Sequence, residues 1–158
     1  MKKTNTLTKL LALVLSLVMM CSMSVSAFAA EVADVEYEQN GENCEVITID
    51  LDEVLANAED INLNGRTIVP LPTSTLAKTN IGALSAGQSV IINVTWNSKT
   101  LPLHIGLMKT TASSGNLLSV TGGSASITAT VNSAGTYYLV VANPSTSYDL
   151  VANVTYIK

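Results

Sequence analysis

From residue 74 to residue 158, apolar and polar side chains alternate in short runs broken by turn residues. "QSVIINVTW" puts Val90, Ile92, Val94 and Trp96 on one face and Ile91, Asn93 and Thr95 on the other. "TLPLHIGLM" turns Leu101, Leu103, Ile105 and Leu107 inward and Pro102, His104 and Gly106 outward. "SASITATV" buries Ala125, Ile127, Ala129 and Val131, leaving only hydroxyl side chains outside, and the last run aligns Tyr148, Leu150, Ala152, Val154 and Tyr156. A period of two is the geometry of a strand, not of a helix. Turn signals separate the runs at Ala86-Gly87, Asn97-Ser98, Ser114-Gly115, Gly122-Gly123, Ala134-Gly135 and Asn143-Pro144. Short β-rich runs at this spacing specify an all-β fold, an antiparallel β-sandwich.

The sandwich is expected to follow a cleaved leader. Lys2, Lys3 and Lys9 precede an apolar run over residues 10–20, and Ala27-Phe28-Ala29 supplies the small residues of a cleavage site. That order is a secretory signal peptide over residues 1–29, cut between Ala29 and Ala30. The apolar run is shorter than the ~20 residues a spanning helix needs. Met20 occupies the place where lipidation at Cys21 would require a small residue. Removing 29 of the 158 residues leaves 129, enough for one domain and its core. The expected product is a secreted, extracellular protein with no membrane attachment, whose sandwich is the whole functional unit. Cys44 is then its lone cysteine, expected to be buried and inert or to form an intermolecular bridge.

Charge is segregated along the chain. Eleven of the twelve acids fall within residues 31–60, whereas residues 61–158 carry five bases against Asp149 alone. Residues 30–43 lack a core-forming pattern and are expected to form a flexible acidic arm containing Tyr37. Residues 44–158 form the domain, with an acidic first strand and connection over 44–73 and the regular sandwich over 74–158. In "CEVITIDL", Ile47, Ile49 and Leu51 alternate with Val46, Thr48 and Asp50, which reads as a strand. "DEVLANAED" can form a helical turn, Asn64-Gly65 marks a turn, and Pro70 and Pro72 mark a boundary or a sheet edge. Without a basic cluster or an aromatic-interleaved patch, nucleic acid is excluded as a partner.

The residues for catalysis are sparse. A Ser-His-Asp arrangement would depend on His104, the sole histidine, and no Gly-x-Ser-x-Gly elbow is present. Zinc needs several His or Cys ligands, and one of each remains after cleavage. Asp50, Asp52, Glu53, Glu59 and Asp60 offer oxygens to calcium without the spacing of an EF-hand loop. No cofactor or metal is therefore implied, and the protein is not expected to be an enzyme. Glycan binding by a sandwich uses outward aromatic faces. Trp96, Tyr137, Tyr148 and Tyr156 fall on inward phases and Tyr138 on an outward one. His104 and Tyr138 are thus the candidate binding surface. Asn93-Val94-Thr95 and Asn153-Val154-Thr155 match a glycosylation sequon, given little weight behind a bacterial-type leader.

Leu84-Ser85-Ala86-Gly87-Gln88-Ser89-Val90 leading to Trp96, and Ala134-Gly135-Thr136-Tyr137-Tyr138-Leu139-Val140-Val141, resemble the bacterial pre-peptidase C-terminal domain and related jelly-roll carbohydrate-binding-like sandwiches. The resemblance spans about residues 84–156. Thr100-Leu101-Pro102-Leu103 keeps the leucines of that family's Asp-Leu-Asp-Leu strand, with Thr100 and Pro102 in place of its aspartates. It implies the sandwich fold and a non-catalytic accessory role, since such domains accompany secreted peptidases or glycosidases and help them bind substrate or mature. The expected function is an extracellular binding or adhesion module for a cell-surface glycan or protein. The alternatives are a structural subunit that self-assembles by edge-strand addition and, as a minor reading, a secreted hydrolase.

Overall fold

The computed structural model describes residues 34–39, 44–50, 58–60, 67–112 and 114–158. The expected leader with its Ala29–Ala30 junction, most of the "DEVLANAED" stretch and the turn expected at Asn64-Gly65 lie outside the described residues. Alternation folds the rest into two sheets. Strands β1 (Val35–Gln39), β4 (Thr67–Leu71), β6 (Ser89–Trp96), β9 (Ser124–Val131) and β11 (Leu150–Ile157) form a five-stranded sheet in the order β1-β9-β6-β11-β4. Strands β2 (Cys44–Asp50), β3 (Glu59–Asp60), β5 (Thr75–Leu84), β7 (Leu103–Lys109), β8 (Ser114–Val120) and β10 (Gly135–Asn143) form a six-stranded sheet in the order β2-β8-β7-β10-β5-β3. The strand pairs are antiparallel except for the two-residue parallel contact of β3 with β5.

The inward phases meet between the sheets. Ile92, Val94, Ile127 and Val154 from the five-stranded sheet and Leu103, Ile105, Leu139 and Val141 from the six-stranded sheet are all buried in one cluster. Trp96 closes its end and donates its indole N–H to Leu101 O at 3.1 Å, so its one polar atom stays satisfied. Pro70 lies in β4, an edge strand, where a residue without an N–H is tolerated.

Part of the expected acidic arm is a strand. Val35–Gln39 pairs with β9, with Tyr37 opposite Ala129. Its alternation is short but real: Val35 is buried while Glu36 and Glu38 are exposed. Tyr37 also bridges the two sheets. The β7–β8 ladder runs from Leu103↔Val120 to Ile105↔Leu118, and the same register would next bring Leu107 to Asn116. At that position the Tyr37 hydroxyl is inserted. It donates to Asn116 O at 2.7 Å, with Leu107 O a second acceptor at 3.3 Å, and it accepts the Leu107 N–H at 3.0 Å. Burial pushes the phenol pKa well above the usual tyrosine value, an effect offset in part by the Leu107 backbone bond. Gly106 makes room for this contact, because a Cβ there would run into the Tyr37 hydroxyl and lie 2.9 Å from Leu117 Cδ2. Gly106, placed on a solvent phase by its sequence, is therefore buried.

Three further expectations change. Ser114-Gly115 opens β8 rather than forming a turn. Cys44, expected to be buried and inert or to bridge between molecules, is exposed as a free thiol at the start of β2, which overturns the buried reading. Tyr148 is 64% exposed, because β11 begins at Leu150 and residues 144–149 form a loop. Buried Asn143 organises that loop: its Nδ2 donates toward Leu71 O, Pro72 O and Tyr148 O, and its Oδ1 accepts the Ser145 N–H.

Candidate functional site

Once Val94, Trp96, Ala152 and Val154 are committed to the core, Asn93, Thr95, Asn153 and Thr155 must point away from it. Register then gathers them. In the β6–β11 pair Asn93 lies opposite Thr155 and Thr95 opposite Asn153, so the two Asn-Val-Thr tripeptides run antiparallel side by side. On the other flank of β6, β9 places Ser126 opposite Asn93 and Ser124 opposite Thr95. The result is a grid of amides and hydroxyls, two rows deep across three strands, spaced ~4.8 Å between strands and ~7 Å along them. It lines an open depression of about 400 Å³ with no charged side chain in its wall.

The grid is asymmetric in its hydrogen bonding. Ser126 Oγ donates to Asn93 Oδ1 at 2.8 Å, which turns the Asn93 Nδ2 away from β9. Asn153 Oδ1 is buried and accepts no hydrogen bond, the one such side-chain atom among the described residues. Leaving a buried acceptor unsatisfied costs about 1–3 kcal/mol. Aliphatic side chains flank the grid on the same outward phases. Ile91 precedes Asn93 along β6 and lies opposite Ile157, while Ile68 of β4 lies opposite Asn153 and Val151 opposite Pro70. These four are exposed, Ile68 by 71% and Ile157 by 63%. Exposed apolar groups gathered on one face mark a contact surface more than scattered ones do.

The outer face of the six-stranded sheet is of another kind. Leu76, Met108, Leu117, Val140 and Ala142 form a second buried apolar cluster there, with Ile47, Ile49 and Tyr138 packed against it. His104 and Tyr138, the candidates from sequence, both lie on this face. Their pairings separate them: His104 is opposite Ala142 and Tyr138 opposite Met108, four residues, or ~13 Å, further along the strands. His104 is half-buried, and desolvation lowers its pKa below the ordinary histidine value. Tyr138 is half-buried and carries Lys78 Nζ 5.3 Å from its ring centroid. Tyr37, expected in the flexible arm, is committed to its backbone bonds. Among the described residues no group of three or more His, Cys, Asp or Glu side chains could hold a metal ion.

Sequence reasoning assigned each grid residue its outward phase but did not join them. The signal was the identical Asn-Val-Thr tripeptide in two strands, and pairing of residues about 60 positions apart was the missing step.

No protein-family model and no curated protein matches this chain. Among solved structures, the pre-peptidase C-terminal domain of collagenase from Bacillus anthracis is similar, with a TM-score of 0.41 and 17% identity over 63% of this chain and 94% of that one. It belongs to the family that the segments around Leu84-Ser85-Ala86-Gly87 and Gly135-Thr136-Tyr137 resemble.

Proposed function

We propose that this protein is an exported, non-catalytic binding or adhesion module that holds an extracellular glycan or protein against the outer face of its five-stranded sheet. One observation carries the reading: a grid of neutral hydrogen-bonding side chains lining an open depression, bordered by exposed aliphatic residues. In this reading export precedes binding, and the mature chain begins at Ala30, so the intact mass of exported material tests that half. For the face, the double variant T95R/T155R places bulky charge in the grid while leaving the core untouched. Surface changes of this kind usually move stability by less than ~0.5 kcal/mol. Loss of binding to immobilised glycans and matrix proteins at an unchanged Tm supports the reading. Equal binding by both proteins would sink it.

Edge-strand assembly has one observation in its favour, the exposed Cys44 and Val46 on edge strand β2. Against it, β2 carries Glu45 and Asp50, β1 carries Glu36 and Glu38, and β3 is made of Glu59 and Asp60. Acidic edges repel a second copy of themselves, and β4, the edge that carries no acid, holds Pro70, which cannot donate to an added strand.

A further inference from the structure

We infer that the free edge of β1 is a docking site for an extended, basic segment of a partner protein, which adds a strand to the five-stranded sheet and covers the inner side of β2. This site is separate from the amide grid and stands whether or not that face binds anything. The two sheets end at different places on this flank. The Tyr37 hydroxyl seats β1 over the seam between β7 and β8, whereas β2 lies one strand further out, beyond β8. Burial records the step. Across the β2–β8 pair Cys44 lies opposite Val120 and Val46 opposite Leu118. Residues directly opposite share one face of a sheet, and these four share the inner one. Val120 and Leu118 are buried in the core, but Cys44 is exposed and Val46 is 58% exposed. The cover given by the five-stranded sheet therefore stops between β8 and β2. A strand added beside β1 would lie over that ledge.

Backbone and charge together specify the occupant. Among the described residues β1 pairs with β9 alone. Asp34 O accepts the Asn132 N–H, and bonding alternates along an antiparallel ladder. Val35, Tyr37 and Gln39 therefore turn their backbone N–H and C=O to the unpaired side. Side chains set the rest of the pattern. Glu36 and Glu38 are exposed on the outer phase of β1, and one Glu36 oxygen accepts the Asn132 amide. A strand paired here places every second side chain beside the two glutamates and the others over Val46 and Cys44. Opposite charges across a ladder attract and like charges repel, so the fitting strand alternates Lys or Arg with aliphatic residues. The eleven acids within residues 31–60 add a longer-range attraction for such a segment. A second copy of β1 or β2 is disfavoured by the same glutamates, since both strands carry acids. In this mode of recognition main-chain bonds supply the affinity and alternate side chains the specificity.

The test is titration of the protein with a heptapeptide alternating Lys and Val, read by calorimetry and by the rate of Cys44 alkylation in peptide mass spectra. The contrasts are a Glu/Val heptapeptide and a Lys/Val heptapeptide N-methylated throughout, which keeps its charge but has no N–H to donate. The expected result is binding of the unmethylated Lys/Val peptide alone, with Cys44 alkylation falling as the site fills and suppressed at saturation. E36K/E38K should weaken that binding about tenfold, as two attractive cross-strand pairs become repulsive. V46S should weaken it about fivefold through the lost apolar contact. If the lysine variant melts early, E36Q/E38Q removes the charge without reversing it and should weaken binding in the same direction. No binding of the Lys/Val peptide overturns the inference and leaves the glutamates as guards of a solvent-facing edge. Equal binding of the N-methylated peptide, or binding that leaves Cys44 as reactive as before, overturns it in favour of charge attraction without an added strand. Binding of the Glu/Val peptide, or undiminished binding by both glutamate variants, overturns it as well.

Discussion

The two outer faces of this sandwich are built from the same strand alternation and put to opposite uses. On the six-stranded sheet the outward phase carries Leu76, Met108, Leu117 and Val140, which form a second buried cluster. On the five-stranded sheet the outward phase carries serine, threonine and asparagine, which line an open depression, with Ile68, Ile91, Val151 and Ile157 exposed around them. The difference teaches that in a β-sandwich the phase of a residue fixes only which side of its sheet it faces. Its chemistry then fixes whether that side packs into a cluster or lies open.

Truncation sharpens the contrast most. Leu117→Ala removes a fully buried side chain from the outer cluster and should cost about 2–5 kcal/mol, read by urea unfolding. A loss below 1 kcal/mol would make that face an ordinary surface. Next comes the link between the sheets. Tyr37→Phe leaves Leu107 N–H and Asn116 O without the hydroxyl that joins them and should cost about 1–3 kcal/mol. A neutral substitution there would mean that β7 and β8 hold together without it. Ser124→Ala or Thr155→Val, on the open face, should change stability by less than ~0.5 kcal/mol. A cost approaching that of Leu117→Ala would erase the distinction between the faces.

The smallest effect is electrostatic. Burial favours the neutral imidazole of His104, so the native state binds its proton less readily than the unfolded chain. Stability from this group is therefore full above the unfolded pKa of ~6.5 and declines as pH falls through that value toward the lower native pKa. An NMR titration of His104 should give a midpoint below the ordinary value, and His104→Gln should flatten the acid limb of the stability profile. An unshifted midpoint would show that the imidazole is as open as the grid.

Most of the fold was legible because alternation is local. Runs such as Ser89–Trp96 and Ser124–Val131 show their two phases within eight residues. Errors arose where a distant partner decides. Val35–Gln39 is too acidic to announce a core strand, yet Tyr37 finds its bonds on β7 and β8. Ser114-Gly115 has turn chemistry but is held in a strand by Ile49 and Asp50 across the ladder. Tyr148 keeps the inward phase of β11 on paper, and Asn143 captures the segment as a loop before the strand starts. The grid was half legible: outward phases follow from sequence, whereas the side-by-side placement of two Asn-Val-Thr segments depends on register between distant strands. The charge split likewise acquires a reason only in three dimensions, since most described acids lie in edge strands β1, β2 and β3.

Hydroxyl-radical footprinting of the protein tests the contrast between the faces most directly, because one peptide mass spectrum reads both. Met108 is the sole methionine within residues 30–158, and its thioether oxidises far more readily than an aliphatic side chain when exposed. The account predicts that Met108 stays unmodified at doses that label Ile68, Ile91 and Ile157, the reverse of their intrinsic reactivities. Rapid oxidation of Met108 with the isoleucines protected would contradict it, making the six-stranded sheet the open face and the amide grid the covered one.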